Sequence, residues 1–455
     1  MNAETPVRRW RVTVPDAQQP EWFSGWQFKF LMAAFLMYAL RDALTGSLRF
    51  YLGKVGLSPI WFVPDLMAFV IFGLFVNQMI LRNRSLPATL FVANVFVSMG
   101  IGIVFMRMSP AIATTAAKAI VPLFVGMAFS GRTPTEHWFP RAFLYVLVVI
   151  SCIGILLSPH VAFPWIGAEI DTFGVKKVVG KLWWAEGAVR HGGFAGDSTM
   201  AAFMTFFPFL LIFRYLPKWL NIATMALIYS ALALTTSKTA IGLFWMFAIF
   251  YAIFYIFPVK QRFEVLSRAA LASYVFVLAP AILIIAFGGV DLTEISRSLF
   301  SLGDRINRSW QMPFVHLNNL FPAGILLGCG VGCFSYPMGY SPLASYAVPV
   351  DNFYLTTYLF LGFPFVLFMI AQILSVRRVK EEGKLLVIVA INIYTITVAC
   401  YGPSFATIIV GYTFSDLFLR NHEHWTRRFK RDQSTSAAPR PTPAERETTG
   451  VLQGA

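Results

Sequence analysis

Charge is what this chain lacks. Only 13% of its 455 residues are Asp, Glu, Lys or Arg, about half of the ~25% usual in a soluble domain. So few charges could not cover a water-exposed surface, which excludes a soluble enzyme and a disordered chain. Cysteine is scarce as well: four residues do not make a disulfide framework. Cys152 and Cys400 stand in apolar runs and read as packing residues. Cys329 and Cys333 share one loop, and a disulfide between them is open if that loop faces an oxidising space. The six histidines (His137, His160, His191, His316, His422, His424) show no tight ligand spacing, so the sequence predicts no metal and no cofactor. The first 27 residues are polar and contain Pro, without the short apolar core of a cleavable signal peptide.

What the chain has is apolar surface. Hydrophobic residues make up 57% and aromatics 16%, with 45 Phe, and the mean hydropathy is +0.64. Runs of ~17–25 apolar residues span a bilayer as helices. Twelve such runs are predicted, at 28–47, 60–81, 87–106, 110–129, 141–158, 199–216, 219–236, 239–257, 268–287, 350–374, 385–401 and 403–419. The first is interrupted by Arg41 and Asp42. The expected fold class is therefore an all-α integral membrane protein of about 12 transmembrane helices. It has a cytoplasmic tail at 1–27, a polytopic domain at 28–419, and a tail at 420–455 that is basic, then disordered. Two long outer loops, 159–198 and 288–349, are expected to cap the bundle.

The net charge of +15 resembles a nucleic-acid signal, but its distribution says otherwise. With the N-terminus in the cytoplasm, every predicted cytoplasmic turn is positive, from Arg82 and Arg84 to Arg377, Arg378, Lys380 and Lys384. That is the positive-inside bias of a multi-pass protein with both termini inside. The basic stretch from Arg420 to Arg431, with Trp425 and Phe429, reads as a juxtamembrane anchor on anionic lipid. The expected partners include membrane lipid and no nucleic acid.

Chemistry-bearing residues gather in the outer segments. Arg190 and His191 precede Gly192, Gly193 and, before the sixth run, Asp197 and Ser198, either of which suits a helix cap. Arg305 and Arg308 precede Trp310 in the second loop, where Arg297 also lies. Ser237 and Lys238 occupy the turn between the seventh and eighth runs. Arginine grips phosphate oxygens bidentately and keeps its charge; lysine serves as a point charge. For each of these cations, anchoring at the interface beside aromatic residues is the competing reading. Asp351 and Asn352 open the tenth run. A carboxylate there is either a helix cap or a general base for a sugar hydroxyl. Gly328, Gly330 and Gly332 look like a nucleotide fingerprint but have no βαβ unit around them, so that reading is rejected. Trp183, Trp184, Trp310, Tyr336, Tyr340 and Tyr346 are candidates to stack on sugar rings, or to belt the interface.

The order of these motifs resembles the O-antigen ligase and Wzy-type polysaccharide polymerase superfamily over roughly 185–375. The matching positions are Arg190/Gly193, Ser237-Lys238, Arg305…Trp310, Gly328/Gly330/Gly332/Phe334, Asp351-Asn352 and Gly362. The resemblance implies inverting, metal-independent glycosyl transfer from an undecaprenyl-pyrophosphate-linked oligosaccharide at the periplasmic face of a bacterial inner membrane. Arg190 and Arg305 would hold the pyrophosphate, Asp351 would act as base, and Lys238, Ser237, His191, Arg308, Asn352 and Trp310 would line the substrate. A flippase and chain-length or export proteins are the implied partners. Lys238 stands where this superfamily usually has arginine, and Asp351 where its ligases carry histidine. The second departure favours a polymerase, nearest to the xanthan type. The alternatives are a ligase with a different acceptor, and a twelve-helix secondary transporter or flippase.

Overall fold

The computed structural model describes residues 25–419 apart from 173–174, 186–187, 257–260 and 297–298. The tail expected at 420–455 and Arg297 lie outside the described residues, as does nearly all of the N-terminal tail. The helices run in the order α1 (Trp26–Ala43), α2 (Thr45–Lys54), α3 (Val63–Phe75), α4 (Leu86–Val104), α5 (Pro110–Met127) and α6 (Trp138–Leu157). Next come α7 (Ser198–Ile212), α8 (Lys218–Thr235), α9 (Lys238–Tyr251), α10 (Arg262–Ala272), α11 (Val275–Phe287), α12 (Phe300–Asp304), α13 (Met312–Leu320) and α14 (Gly324–Leu327). Then follow α15 (Phe353–Leu361), α16 (Phe363–Ser375), α17 (Glu382–Tyr394) and α18 (Ser404–Phe414).

Seven helical segments among the described residues are long and apolar enough to cross a membrane: Ser58–Arg82, Leu86–Val104, Pro110–Met127, Trp138–Leu157, Ser198–Tyr215, Lys238–Ile256 and Arg262–Phe287. Their outward faces leave Leu66, Leu90, Phe96, Val97, Val146 and Ile285 exposed. Apolar surface on that scale marks a lipid contact. The protein is thus a mostly helical membrane protein. The remaining five predicted runs take other forms. At 28–47 the chain turns by 90° between α1 and α2. There the amides of Gly46 and Ser47 leave the helical ladder and donate to the Phe194 carbonyl at 2.9 and 3.3 Å. The run at 350–374 breaks at Gly362, which has φ 69° and separates α15 from α16. Helix α8 is 18 residues long but less apolar than the seven. Helices α17 and α18 are short, with 13 and 11 residues.

Helix α18 is buried along its whole length and packs against α5. A Cβ on Gly411 would strike the Leu123 carbonyl, and one on Gly126 the Ile408 carbonyl, so the two backbones touch where both residues lack a side chain. Helix α7 is the other central element; all but one of its residues are buried.

Both long loops are ordered over most of their length. The first departs from the all-helical expectation. It folds into two antiparallel hairpins, β1 (Glu169–Thr172) with β2 (Val175–Val178), and β3 (Trp183–Ala185) with β4 (Ala188–Arg190). It also has its own small apolar core of Phe163, Trp165 and Val179, backed by Phe50 and Phe194. The second loop carries α12 to α14 and the Cys329–Cys333 pair, which is disulfide-bonded with Cα atoms 6.0 Å apart. Cys152 and Cys400 are buried, as a packing role requires.

Candidate active site

Four segments far apart in sequence meet at the end of the bundle that carries the long loops. The first is the end of β4. The His191 amide donates to the Leu234 carbonyl at 3.1 Å, and Arg190 Nε donates to the Thr235 carbonyl at 3.2 Å. Both bonds hold β4 against the C-terminal turn of α8, where carbonyls lack helical partners. The second is the turn between α8 and α9. Thr236 takes a left-handed conformation with φ 51°, Ser237 is buried at the N-cap, and Lys238 is the exposed first residue of α9.

The third segment is the chain entering α15. Asn352 is fully buried; its Oδ1 accepts from the Leu355 amide at 2.8 Å, and its Nδ2 donates to the Ile396 carbonyl at 3.0 Å. Asn352 is therefore the helix cap, which leaves Asp351 free of that duty. The Phe353 amide joins the Thr395 carbonyl at 3.2 Å, and Thr239 meets Thr397 at 2.7 Å between hydroxyl oxygens. Those contacts tie the Lys238 turn to the Asp351 segment through residues 395–397.

Arg305 supplies the fourth. It opens a π-helical turn, Arg305–Trp310, and its Nε lies 3.7 Å from Asp351 Oδ2. That is an ion pair without a hydrogen bond. Its Nη1 donates to Ser301 Oγ at 2.9 Å, while the buried Nε has no acceptor. A buried guanidinium N–H without an acceptor is costly in a folded protein, and a ligand oxygen would satisfy it.

The electrostatics join these groups. Burial lowers the Arg190 pKa, and the charge of Arg305 lowers it further; Asp197 and Tyr394 act in the opposite direction. Asp351 keeps 49% of its side chain exposed. Desolvation nonetheless holds its pKa above the ordinary carboxylate range, and Arg305 pulls it partly back. Burial lowers the pKa of His191, whose Nδ1 is 3.1 Å from Ser158 Oγ, so the ring is neutral at pH 7.

Two sequence expectations fit less well. Trp310 is fully buried, so its ring is closed to a sugar and belongs to the core. Arg308 is exposed and pairs with Asp304 at 3.6 Å, one turn back on its own helix. Asp197, and not Ser198, caps α7, accepting from the Thr199 and Met200 amides at 2.9 and 2.8 Å. The sequence reading also passed over Tyr394, whose hydroxyl donates to the Thr199 carbonyl beside Arg190, and the Thr239–Thr397 pair. Neither has a sequence signature, because each depends on α17 reaching the same end of the bundle.

A second charged group was seen only in part. Arg41 Nη1 and Lys118 Nζ both reach Asp65, at 2.9 and 3.0 Å. Arg41 Nε also lies 3.3 Å from Asp42 Oδ1, and Asp42 Oδ2 caps the Phe405 amide at 2.7 Å. Asp65, the residue that joins the other two, was missed although it stands as a carboxylate inside a predicted span. Among the described residues, no three His, Cys, Asp or Glu side chains converge as metal ligands.

No protein-family model matches the chain, and no curated protein and no solved structure matches it either.

Proposed function

We propose that this protein is a polysaccharide polymerase. It transfers a growing glycan from undecaprenyl pyrophosphate to the non-reducing end of an incoming lipid-linked repeat unit. What carries the reading is the meeting of Arg190, the Lys238 turn, Arg305 and Asp351 at one end of the bundle, with a buried Arg305 N–H lacking an acceptor. The full topology of the reading has twelve spans, α15–α16 counting as one broken span. Both termini are cytoplasmic, and the site faces the periplasm of the bacterial inner membrane. The disulfide in the second loop suits an oxidising compartment.

In the mechanism, the acceptor hydroxyl attacks the anomeric carbon on the face opposite the pyrophosphate. Asp351 accepts the hydroxyl proton as the new C–O bond forms. The bond to the pyrophosphate oxygen breaks, its electron pair leaves with that oxygen, and the configuration inverts. Arg190 and Arg305, fixed before reaction, stabilise the charge that develops on the leaving group. Lys238 adds a point charge at the mouth. His191, neutral, offers a hydrogen bond and no charge. No metal or nucleotide enters the reaction.

The decisive experiment is reconstitution with lipid-linked repeat units alone. Chain lengthening without a gradient or nucleotide supports the polymerase, and Ala at Arg190, Arg305 or Asp351 abolishes it while insertion persists. Wild-type chain length in all three variants refutes the site. A second reading, a transporter or flippase, draws on the buried Arg41–Asp65 pair and the partly exposed Lys118 beside it, since ionised side chains at membrane depth often serve transport. It requires intact repeat units to cross the bilayer. Transfer only to a different terminal acceptor would instead make the protein a ligase.

A further inference from the structure

The first long loop leaves an apolar surface open. Leu182, Trp183 and Trp184 are consecutive in the chain and 44%, 51% and 70% exposed. Exposed apolar side chains in a cluster mark a contact with lipid, ligand or partner. The register of the hairpin sorts them. Trp183 stands opposite Arg190, and Trp184 opposite Val189. Cross-strand partners share a face and successive residues alternate, so Trp183 and Arg190 lie on one face and Trp184 and Val189 on the other. The charge goes with the first face. There Lys181 Nζ is 5.7 Å from the centroid of the Trp183 ring, and Arg190 donates to the Thr235 carbonyl. The second face carries Trp184, partly buried Val189 and, two residues before Trp184, Leu182. None of the three is charged.

The points at which the hairpin is fastened set its height. The Lys181 amide donates to the Gly196 carbonyl at 2.9 Å, two residues before α7, which opens the apolar segment Ser198–Tyr215. On the other strand, Arg190 and His191 bond to the Thr235 and Leu234 carbonyls in the last turn of α8. His191 Nδ1 also meets Ser158 Oγ, just past the C-terminal end of α6. Both strands therefore start level with the ends of membrane-crossing helices. From Trp183 to Trp184 the chain advances by about 3.4 Å, less than the roughly 5–7 Å depth of the headgroup layer on one side of a bilayer. Tryptophan rings collect in that layer. The exposed sides of the neighbouring helices run up to the same place: Ile153 and Leu157 on α6, and Ile222, Tyr229 and Ala233 on α8. Ala233 stands next to Leu234, whose carbonyl holds His191.

We infer that the face of the β3–β4 hairpin formed by Leu182, Trp184 and Val189 rests in the headgroup layer of the membrane and contacts phospholipid, while Trp183 and Arg190 face away from it. The hairpin prolongs the lipid-facing surface of α6 and α8 past the ends of those helices. The inference does not depend on the polymerase reading. Its consequence is one of depth: Arg190, on the opposite face of the same two strands, is held at the level of lipid phosphates.

The test reads the surroundings of each ring. Full-length protein is labelled with fluorotryptophan, placed in phospholipid nanodiscs and observed by fluorine NMR. Trp183→Phe and Trp184→Phe assign two of the 12 tryptophan lines. A phospholipid with a nitroxide high on its acyl chain should broaden the Trp184 line several-fold, and a water-soluble gadolinium chelate should leave it sharp. The Trp183 line should respond in the opposite order. In the Leu182→Gln/Val189→Gln variant the nitroxide should broaden Trp184 less and the chelate more, with the other lines in place as the check on folding. A Trp184 line that the chelate broadens and the nitroxide lipid leaves untouched overturns the proposal. Protection from both agents also overturns it, because a second copy of the chain would then cover the ring. So does loss of the nitroxide effect when lipid-linked repeat units are added, which would make Trp184 a sugar platform.

Discussion

Replacing Asp65 with alanine tests the charge network where it is tightest. The carboxylate takes hydrogen bonds from Tyr38 and Arg41, both at 2.9 Å, and an ion pair from Lys118 at 3.0 Å. Its removal leaves Arg41, among the described residues, with Asp42, the Ser404 hydroxyl and the rings of Tyr38 and Trp61, in a place that solvent barely reaches. Breaking an enclosed ion pair from one side costs roughly 3–5 kcal/mol, because the remaining charge stays desolvated. The partner experiment is Lys118→Met. Lys118 is one-third exposed, so its pair with Asp65 is partly screened and its loss costs nearer ~1 kcal/mol. The methionine stem also preserves the packing along α5. A difference of about 3 kcal/mol between the variants corresponds to roughly a hundredfold in the folded–unfolded ratio. Reversible unfolding by a denaturing detergent, followed by tryptophan fluorescence in mixed micelles, resolves that difference. Equal destabilisation by the two substitutions, or less than about 1 kcal/mol for Asp65→Ala, would mean that Asp65 is not the keystone of the group and that solvent reaches Arg41.

Other outcomes follow from single contacts. With Asp351 as the base, chain growth should rise with pH through a carboxylate pKa displaced above the ordinary range, and Asp351→Asn should remove that limb. The same displacement means that the folded protein holds the Asp351 proton more tightly than the unfolded chain, so this contribution to stability is present at low pH and is lost as pH rises through the folded pKa. Arg305→Lys keeps the charge but gives up the planar fork, and should lower the turnover of lipid-linked substrate by on the order of 10² while membrane insertion is unchanged; full activity would speak against a bidentate clamp. Gly411→Ala drives a methyl into the Leu123 carbonyl and should destabilise the protein by about 1–3 kcal/mol, or more, in the same unfolding assay; an unaltered midpoint would show that α5 and α18 can separate freely. Trp183 pairs directly with Arg190 across β3 and β4, so both side chains share one face, whereas Trp184 takes the other. Trp183→Ala should therefore raise KM for the lipid-linked glycan more than Trp184→Ala does, and the reverse order would place the sugar elsewhere.

The apolar segments that became long helices were legible because lipid imposes a length rule on sequence. Ser58–Arg82 and Lys238–Ile256 read clearly for that reason. The rule failed where tertiary contacts supply partners for the backbone. Helix α1 ends early because Gly46 and Ser47 find the Phe194 carbonyl, a residue almost 150 positions away. Helix α15 stops at Gly362, whose Cβ position is taken by the Leu326 backbone, and no local pattern foretells that neighbour. The hairpins in the first loop were missed for a related reason: their strands have three or four residues, too few to show alternation.

The charged residues divide along the same line. Lys238 and Asp351 could be singled out because each stands at the edge of an apolar run, where an ionised group is conspicuous, and Arg190 and Arg305 because they lie in the two long loops between runs. Their division of labour could not. Sequence leaves Asp351 as either a cap or a base, and only the bonds that Asn352 accepts from the Leu355 amide and donates to the Ile396 carbonyl release the carboxylate for chemistry. Trp310 shows the converse, since a tryptophan among arginines suggests a sugar platform, yet its ring is sealed in the core. Asp42 adds one step more. Its carboxylate caps the Phe405 amide and also faces Arg41. The start of α18 is thereby tied to the cationic group beside Asp65, while α17, just before it in the chain, carries Tyr394 to the neighbourhood of Arg190.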